Sequence, residues 1–476
     1  MNISFFIMLD HFPKQFSKRS IILYFLLLAT VSFIYSQYAL KFQWIVFGTV
    51  EVCMFFIVAA NQPGKWRNLS DKAFLKKLFW TAVSLRLAYV IFSYFYYKNA
   101  TGIPFEFGAA DSLSYDSRAK WVNLMWNTNN LKEYWKFVTE ELPDCGYATY
   151  LAILYRLTGN SIIIARFVKA FIGAYTCVLI YRLAARHFGE RTGRMAGIFC
   201  MIMPNLIFYC GLHLKEVEMT FLIALFVERA DFALSGEKMK VKSFIGAIVA
   251  ALALFTFRTA VGAVALMSLA AAALLSSSKK VPWWKKIAVV LVIVVGLFVS
   301  SGSVIVEETK ALWEEKDTNQ ELSMEYRSGR TGGNEFAKYA GAAVFAPMIF
   351  TIPFPTLVET EGQENMRIIN GGNFVKNITS VFTIFALIML LISGDWRKHV
   401  LPLALMVGYL AVIAFSAFAQ SERFHYPVLP FELMFAACGI SMLKNKHKWI
   451  FTVWMVVIFA ANIAWAWFKL AGRGLV

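Results

Sequence analysis

Asp111, Tyr115, Asp116, Arg118 and Lys120 stand close together in a chain that is otherwise strongly apolar. A carboxylate in such a place can take a proton from a hydroxyl nucleophile. With an ordinary pKa near ~3.9, Asp is a weak base, so it acts by orienting the hydroxyl and accepting its proton late. An Asp at a helix start also accepts backbone N–H bonds as an N-cap, and for Asp111 both readings stand. Tyr115 lies one helical turn on and shares the Asp111 face, whereas Asp116 points elsewhere on a helix and is the poorer base.

Other ionisable residues occur where charge is costly. Arg258 lies in an apolar stretch, where a spanning segment bears ~2.5–3.5 kcal/mol for an arginine on insertion scales, so it either faces a cavity or snorkels from a tight turn. Arg166, with Lys169 one turn further in, is either a site residue or an interface anchor. The turn carrying His213, Lys215 and Glu216 holds both signs of charge, and Glu216 equally suits a plain helix N-terminus. Residues 420–427 bring Arg423, His425 and Tyr426 to a helix end, a set that suits an anionic headgroup or an aromatic belt with a snorkelling arginine. If these groups converge at the membrane–water boundary, they fit an amphipathic substrate with a charged head and an apolar tail. The arginines would then stabilise a departing phosphate.

The elements that must position them are membrane helices. Of 476 residues, 58% are hydrophobic and only 16% charged, against roughly 25% charged in soluble domains. The apolar runs are too long and continuous for the ~10-residue alternating strands of a membrane barrel. The net charge of +17 falls mainly between apolar runs, as the positive-inside tendency predicts, and no basic face points to nucleic acid. The six cysteines show neither metal spacing nor a paired framework. The expectation is an all-α polytopic membrane protein of about thirteen transmembrane helices, whose outer loops bear interfacial helices. Residues 1–77 supply two N-terminal spans. Residues 78–303 form a transmembrane core with a large first outer loop at 98–160, which carries a short amphipathic helix from Tyr115 to Trp126 and a second over residues 146–157. Residues 304–376 form a second outer loop, in which Pro347, Pro353 and Pro355 rule out one straight helix and predict a re-entrant or interfacial element. Residues 377–476 hold the last spans. The lysine- and arginine-rich loops place the N-terminus inside and the Asp111 loop outside.

Four segments then resemble the type C glycosyltransferases, the bacterial membrane enzymes related to protein O-mannosyltransferases and lipid A aminoarabinose transferases. Asp111-Ser-Leu-Ser-Tyr115 is similar to the first-loop D-x-x-x-Y pattern. The run from Gly146-Tyr147 through Tyr155-Arg156-Leu157 to Arg166 resembles the family's GY…LLYRLFG…AR stretch. Tyr181-Arg-Leu-Ala-Ala-Arg186 through Phe208-Tyr209 to Lys215-Glu216 continues in the same order, and Arg423-Phe-His-Tyr426-Pro427 is similar to the tail motif. The likeness spans roughly residues 78–443. It implies a polyprenyl-phosphate-linked sugar donor and inverting transfer to a glycan, lipid or protein acceptor, at the periplasmic face of the bacterial inner membrane. It further implies Asp111 as general base, Glu216 as a second acid, and Arg423 and Tyr426 at the lipid phosphate. Arg258 and Lys215 are lesser candidates for that phosphate. Asp-Ser replaces the Asp-Glu of the mannosyltransferases, and two helices precede the usual first one, which leaves the acceptor and any divalent metal open. Two other readings are a flippase or transporter for lipid-linked sugars, which moves substrate without forming glycosidic bonds, and a glycan polymerase or ligase, which uses oligosaccharide donors.

Overall fold

The computed structural model describes residues 11–235, 241–276, 345–416 and 419–476, with isolated positions between 283 and 291. Most of the span expected at 287–303, the basic loop residues Lys238, Lys240, Lys279, Lys280, Lys285 and Lys286, and the second outer loop up to residue 344 lie outside these. Regular structure among the described residues is helical, apart from one isolated β-bridge joining Ala39 and Val358.

Three long apolar helices open the chain: α1 (Lys14–Ile34), α2 (Phe42–Lys65) and α3 (Asp71–Thr101). The first-loop region folds as α4 (Ala110–Asn127), α5 (Leu131–Glu140) and α6 (Leu142–Thr158). Here α4 packs on α6, and α6 ends where Gly159 adopts φ 66°, a left-handed conformation that favours glycine. Helices α7 (Ile162–Phe188), α8 (Glu190–Ile202), α9 (Pro204–Phe208), α10 (Glu216–Leu234), α11 (Val241–Phe257) and α12 (Thr259–Leu275) follow. After the gap come α13 (Glu364–Ile368), α14 (Asn370–Ser393), α15 (Val400–Ala414), α16 (Glu422–His425), α17 (Leu429–Ser441) and α18 (Lys448–Ala471).

Six of the described helices are long and apolar enough to cross a bilayer, or seven if α8 and α9 count as one bent span. The expected thirteen are not reached by this measure. Several apolar runs form shorter helices, such as the 17-residue α11 and α12 and the 15-residue α15. At 1.5 Å per residue, 17 residues reach only about 25 Å, short of a ~30 Å hydrocarbon core.

The apolar run over residues 195–212 is broken, with a 56° bend between α8 and α9. Pro204 has no N–H to give to the carbonyl of Cys200, four residues back. Arg86 of α3 fills that gap: its guanidinium donates to the carbonyls of Cys200 at 3.1 Å and Met201 at 3.3 Å. A side chain re-satisfies the freed backbone, as broken membrane helices require.

The proline-rich stretch is not a continuous helix where it is described. A 3-10 turn at Ala346–Met348 leads into chain held by α14. Asn377 donates to the carbonyls of Thr351 at 2.6 Å and Pro353 at 3.0 Å, and Lys376 to that of Ile352 at 2.6 Å.

Candidate active site

The approach to α4 is fixed from two sides. Arg166 on α7 donates to the Pro104 carbonyl at 2.7 Å, and Asn365 on α13 to the Phe107 carbonyl at 2.7 Å. Asp111 is the second residue of α4. The N-cap position belongs to Ala109, with no side-chain capping bond, so the capping reading of Asp111 does not hold. Its carboxylate stays in the first helical turn, where the helix dipole favours negative charge. With 59% of its side chain exposed, it accepts from Nη1 of Arg423 on α16.

Arg423 joins two acids. Its Nε donates to Oε1 of Glu216, the first residue of α10, whose side chain is fully buried. Arg258 brings a second guanidinium to within 3.7 Å of the same oxygen. Arg258 sits in the extended break between α11 and α12 rather than inside a helix, which is the tight-turn alternative raised by the sequence. It lies 4.4 Å from the centre of the Phe424 ring and 3.4 Å from the Tyr409 hydroxyl. Burial raises the Glu216 pKa, but Arg423 and Arg258 outweigh it and hold the carboxyl below its ordinary value. Burial works against the Arg423 charge, yet Glu216 and Asp111 raise its pKa further, so the cation persists.

A second network adjoins the first through Lys215. Its ammonium donates to Oδ1 of Asp144 and to the Pro143 carbonyl at 3.1 Å. The Tyr115 hydroxyl donates to the same Asp144 oxygen at 3.0 Å, and Arg118 lies 3.7 Å from Oδ2. Asp144 is absent from the sequence expectations. The available signal was an acid in the first turn of an apolar helix within the same loop as Asp111.

The structure gathers Asp111, Tyr115, Lys215, Glu216, Arg258 and Arg423, and sets four other expected residues apart. Asp116 accepts from Tyr155 at 2.6 Å and Lys120 at 2.7 Å. Arg166 is buried and supports the loop before α4. His425 is buried, with one ring nitrogen 2.9 Å from Lys376 Nζ and the other 2.8 Å from the Ala419 carbonyl. Tyr426 is buried with its ring centre 4.5 Å from that of Tyr209. Among the described residues no group of three or more His, Cys, Asp or Glu is arranged to hold a metal ion. Asp111 and Glu216 share the Arg423 guanidinium.

Residues 146–305 match the family model of the dolichyl-phosphate-mannose-protein mannosyltransferases. No curated protein and no solved structure matches the chain. The matched segment contains Lys215, Glu216 and Arg258 and begins two residues after Asp144. It supports a multi-pass membrane glycosyltransferase of the type C class.

Proposed function

We propose, from that family match as premise, that the chain is an inverting glycosyltransferase of the bacterial inner membrane. It takes a sugar from a polyprenyl-phosphate-linked donor and passes it to an acceptor hydroxyl on a glycan, lipid or protein at the periplasmic face. The observation that carries this reading is the chain of contacts from Asp111 through Arg423 to Glu216 and Arg258. It puts an exposed carboxylate beside a cluster of cations at the junction of α4, α10, α16 and the α11/α12 break.

In the proposed step the acceptor oxygen attacks the anomeric carbon while its proton passes to the Asp111 carboxylate. The bond from that carbon to the phosphate oxygen breaks, and its electron pair leaves with polyprenyl phosphate. The charge that accumulates there falls to Arg423, Arg258 and Lys215, because fixed cations are most useful where charge develops. Glu216 does not take the proton in this scheme, since it is buried and locked by two guanidinium groups. Its role is to hold Arg423 and Arg258 together.

The test is Asp111→Asn, assayed in membranes for transfer from a polyprenyl-phosphate sugar. Loss of a positioned base lowers turnover by about 10²–10⁴-fold. Near-normal turnover in the Asn variant rejects Asp111 as the base. Movement of intact lipid-linked sugar with no new glycosidic bond would favour the transporter instead.

A further inference from the structure

We infer that Asp144 is a positioning residue for the proposed reaction: one carboxylate holds the Lys215 ammonium beside the two arginines and ties it to Tyr115 on the helix that carries Asp111. The inference rests on the phosphate-binding reading above and adds to it a residue outside the motifs.

The geometry gives Asp144 two duties. Its Oδ1 accepts from both Lys215 and the Tyr115 hydroxyl, and Oδ2 faces Arg118, which is itself 2.5 Å from Glu141. Residues of α4, α6 and the start of α10 therefore meet at one carboxylate. Lys215 precedes Glu216 in the chain, so this link also fixes the turn that presents Glu216 to Arg423. An ammonium has three donors. Asp144 and the Pro143 carbonyl use two, leaving one for a phosphate oxygen.

Electrostatics add a charge role. Lys215 is almost wholly buried, and burial pulls its pKa below the ordinary value; Asp144 opposes this, Arg258 adds to it, and Glu216 opposes it. The other groups facing Lys215 do not titrate near it. Burial pushes Tyr115 up, and the Cys145 thiol is pushed up to about 11. Without the Asp144 charge, burial and Arg258 would strip the lysine of its proton at a lower pH.

The experiment measures the affinity of the detergent-solubilised full chain for farnesyl phosphate, a lipid phosphate without sugar, from about pH 7 to about pH 10. A phosphate monoester, with its second pKa near ~6, is already mostly dianionic over that range. Wild-type affinity should fall as Lys215 loses its proton. In Asp144→Asn the fall should begin about one pH unit lower, the size of shift a nearby opposite charge exerts. Asp144→Glu should restore it, and Lys215→Gln should abolish it. An Asp144→Asn profile that coincides with wild type overturns the inference, as does a fall that persists in Lys215→Gln. If Asp111→Asn abolishes transfer while the Asp144→Asn profile is unmoved, the proposed function stands and this inference alone fails. If wild type does not bind farnesyl phosphate at all, the phosphate reading fails too.

Discussion

Arg423 neutralises two carboxylates that are not equivalent. Glu216 is fully buried and Asp111 largely exposed, so an incoming phosphate would displace Asp111 and leave Glu216 as the anchor. The same displacement would free the Asp111 carboxylate for an acceptor. A lysine keeps the charge but lacks the fork that bridges two acids. Arg423→Lys is therefore expected to fold with a near-native melting temperature yet lose about 10²-fold or more in turnover; turnover near wild type would show that charge alone suffices. Next to it, Glu422 is pushed up to about 7 by burial, although it accepts from Tyr209 at 3.1 Å. The folded state then holds a proton that the unfolded chain, with the ordinary value of 4.5, releases. Stability contributed by this group is present at low pH and is lost as pH rises through about 4.5 to 7. Melting curves across that window should slope less in Glu422→Gln, and an unchanged slope would reject the assignment. At this scale the sequence was legible where chemistry is local: Asp111 in a polar loop, and Lys215 and Glu216 side by side. Asp144 was not, because its meaning comes from Lys215, 71 residues away.

Elements were legible where their signals are internal. Both helices expected in the first loop emerge, as α4 and α6, since their periodicity and the flanking Pro143 and Gly159 are local features. The break between α8 and α9 was missed because Pro204 lies inside an otherwise apolar run. What makes the break tolerable is Arg86, from a helix far back in the chain. Arg258 is the contrary case, because the sequence already raised a tight turn there and the break between α11 and α12 falls at that residue. The packing of α6 on α11 turns on Gly146, where an added Cβ would fall 2.8 Å from the Thr256 carbonyl oxygen. Thr256 cannot yield at its backbone, so a larger residue must push α6 outward, and Asp144 moves with it. Gly146→Val is expected to cost roughly 1–3 kcal/mol of stability, as overpacking does, and to weaken farnesyl phosphate binding more than Gly64→Ala in α2, where an added Cβ meets nothing within 4 Å. Equal binding in the two variants would separate α6 packing from the site.

Across the whole molecule, α7 and α10 run from the proposed site to a second ion-paired cluster. Arg166 and Arg186 are twenty residues apart on α7, which is about 30 Å of helix. At the far end Arg186 meets Asp231 at 2.8 Å and Glu228 at 2.7 Å, His187 lies 3.2 Å from Asp231, and the His187 and His399 rings approach to 2.7 Å. These contacts tie α7, α10 and the start of α15 together, so ion-paired clusters stand toward both ends of α7 and α10. The two ends should be separable in energy and in function, because sites this far apart without shared partners act additively. Arg186→Ala would leave two nearly buried carboxylates without their main counter-charge, a change that costs about 3 kcal/mol or more when a buried pair is broken. The expected outcome is a clearly lower melting temperature in detergent with the KM for the lipid-linked donor unchanged below the transition. A changed KM would mean that the far cluster communicates with the Arg423 site through α7 or α10, and an unchanged melting temperature would mean that it does not fasten the bundle.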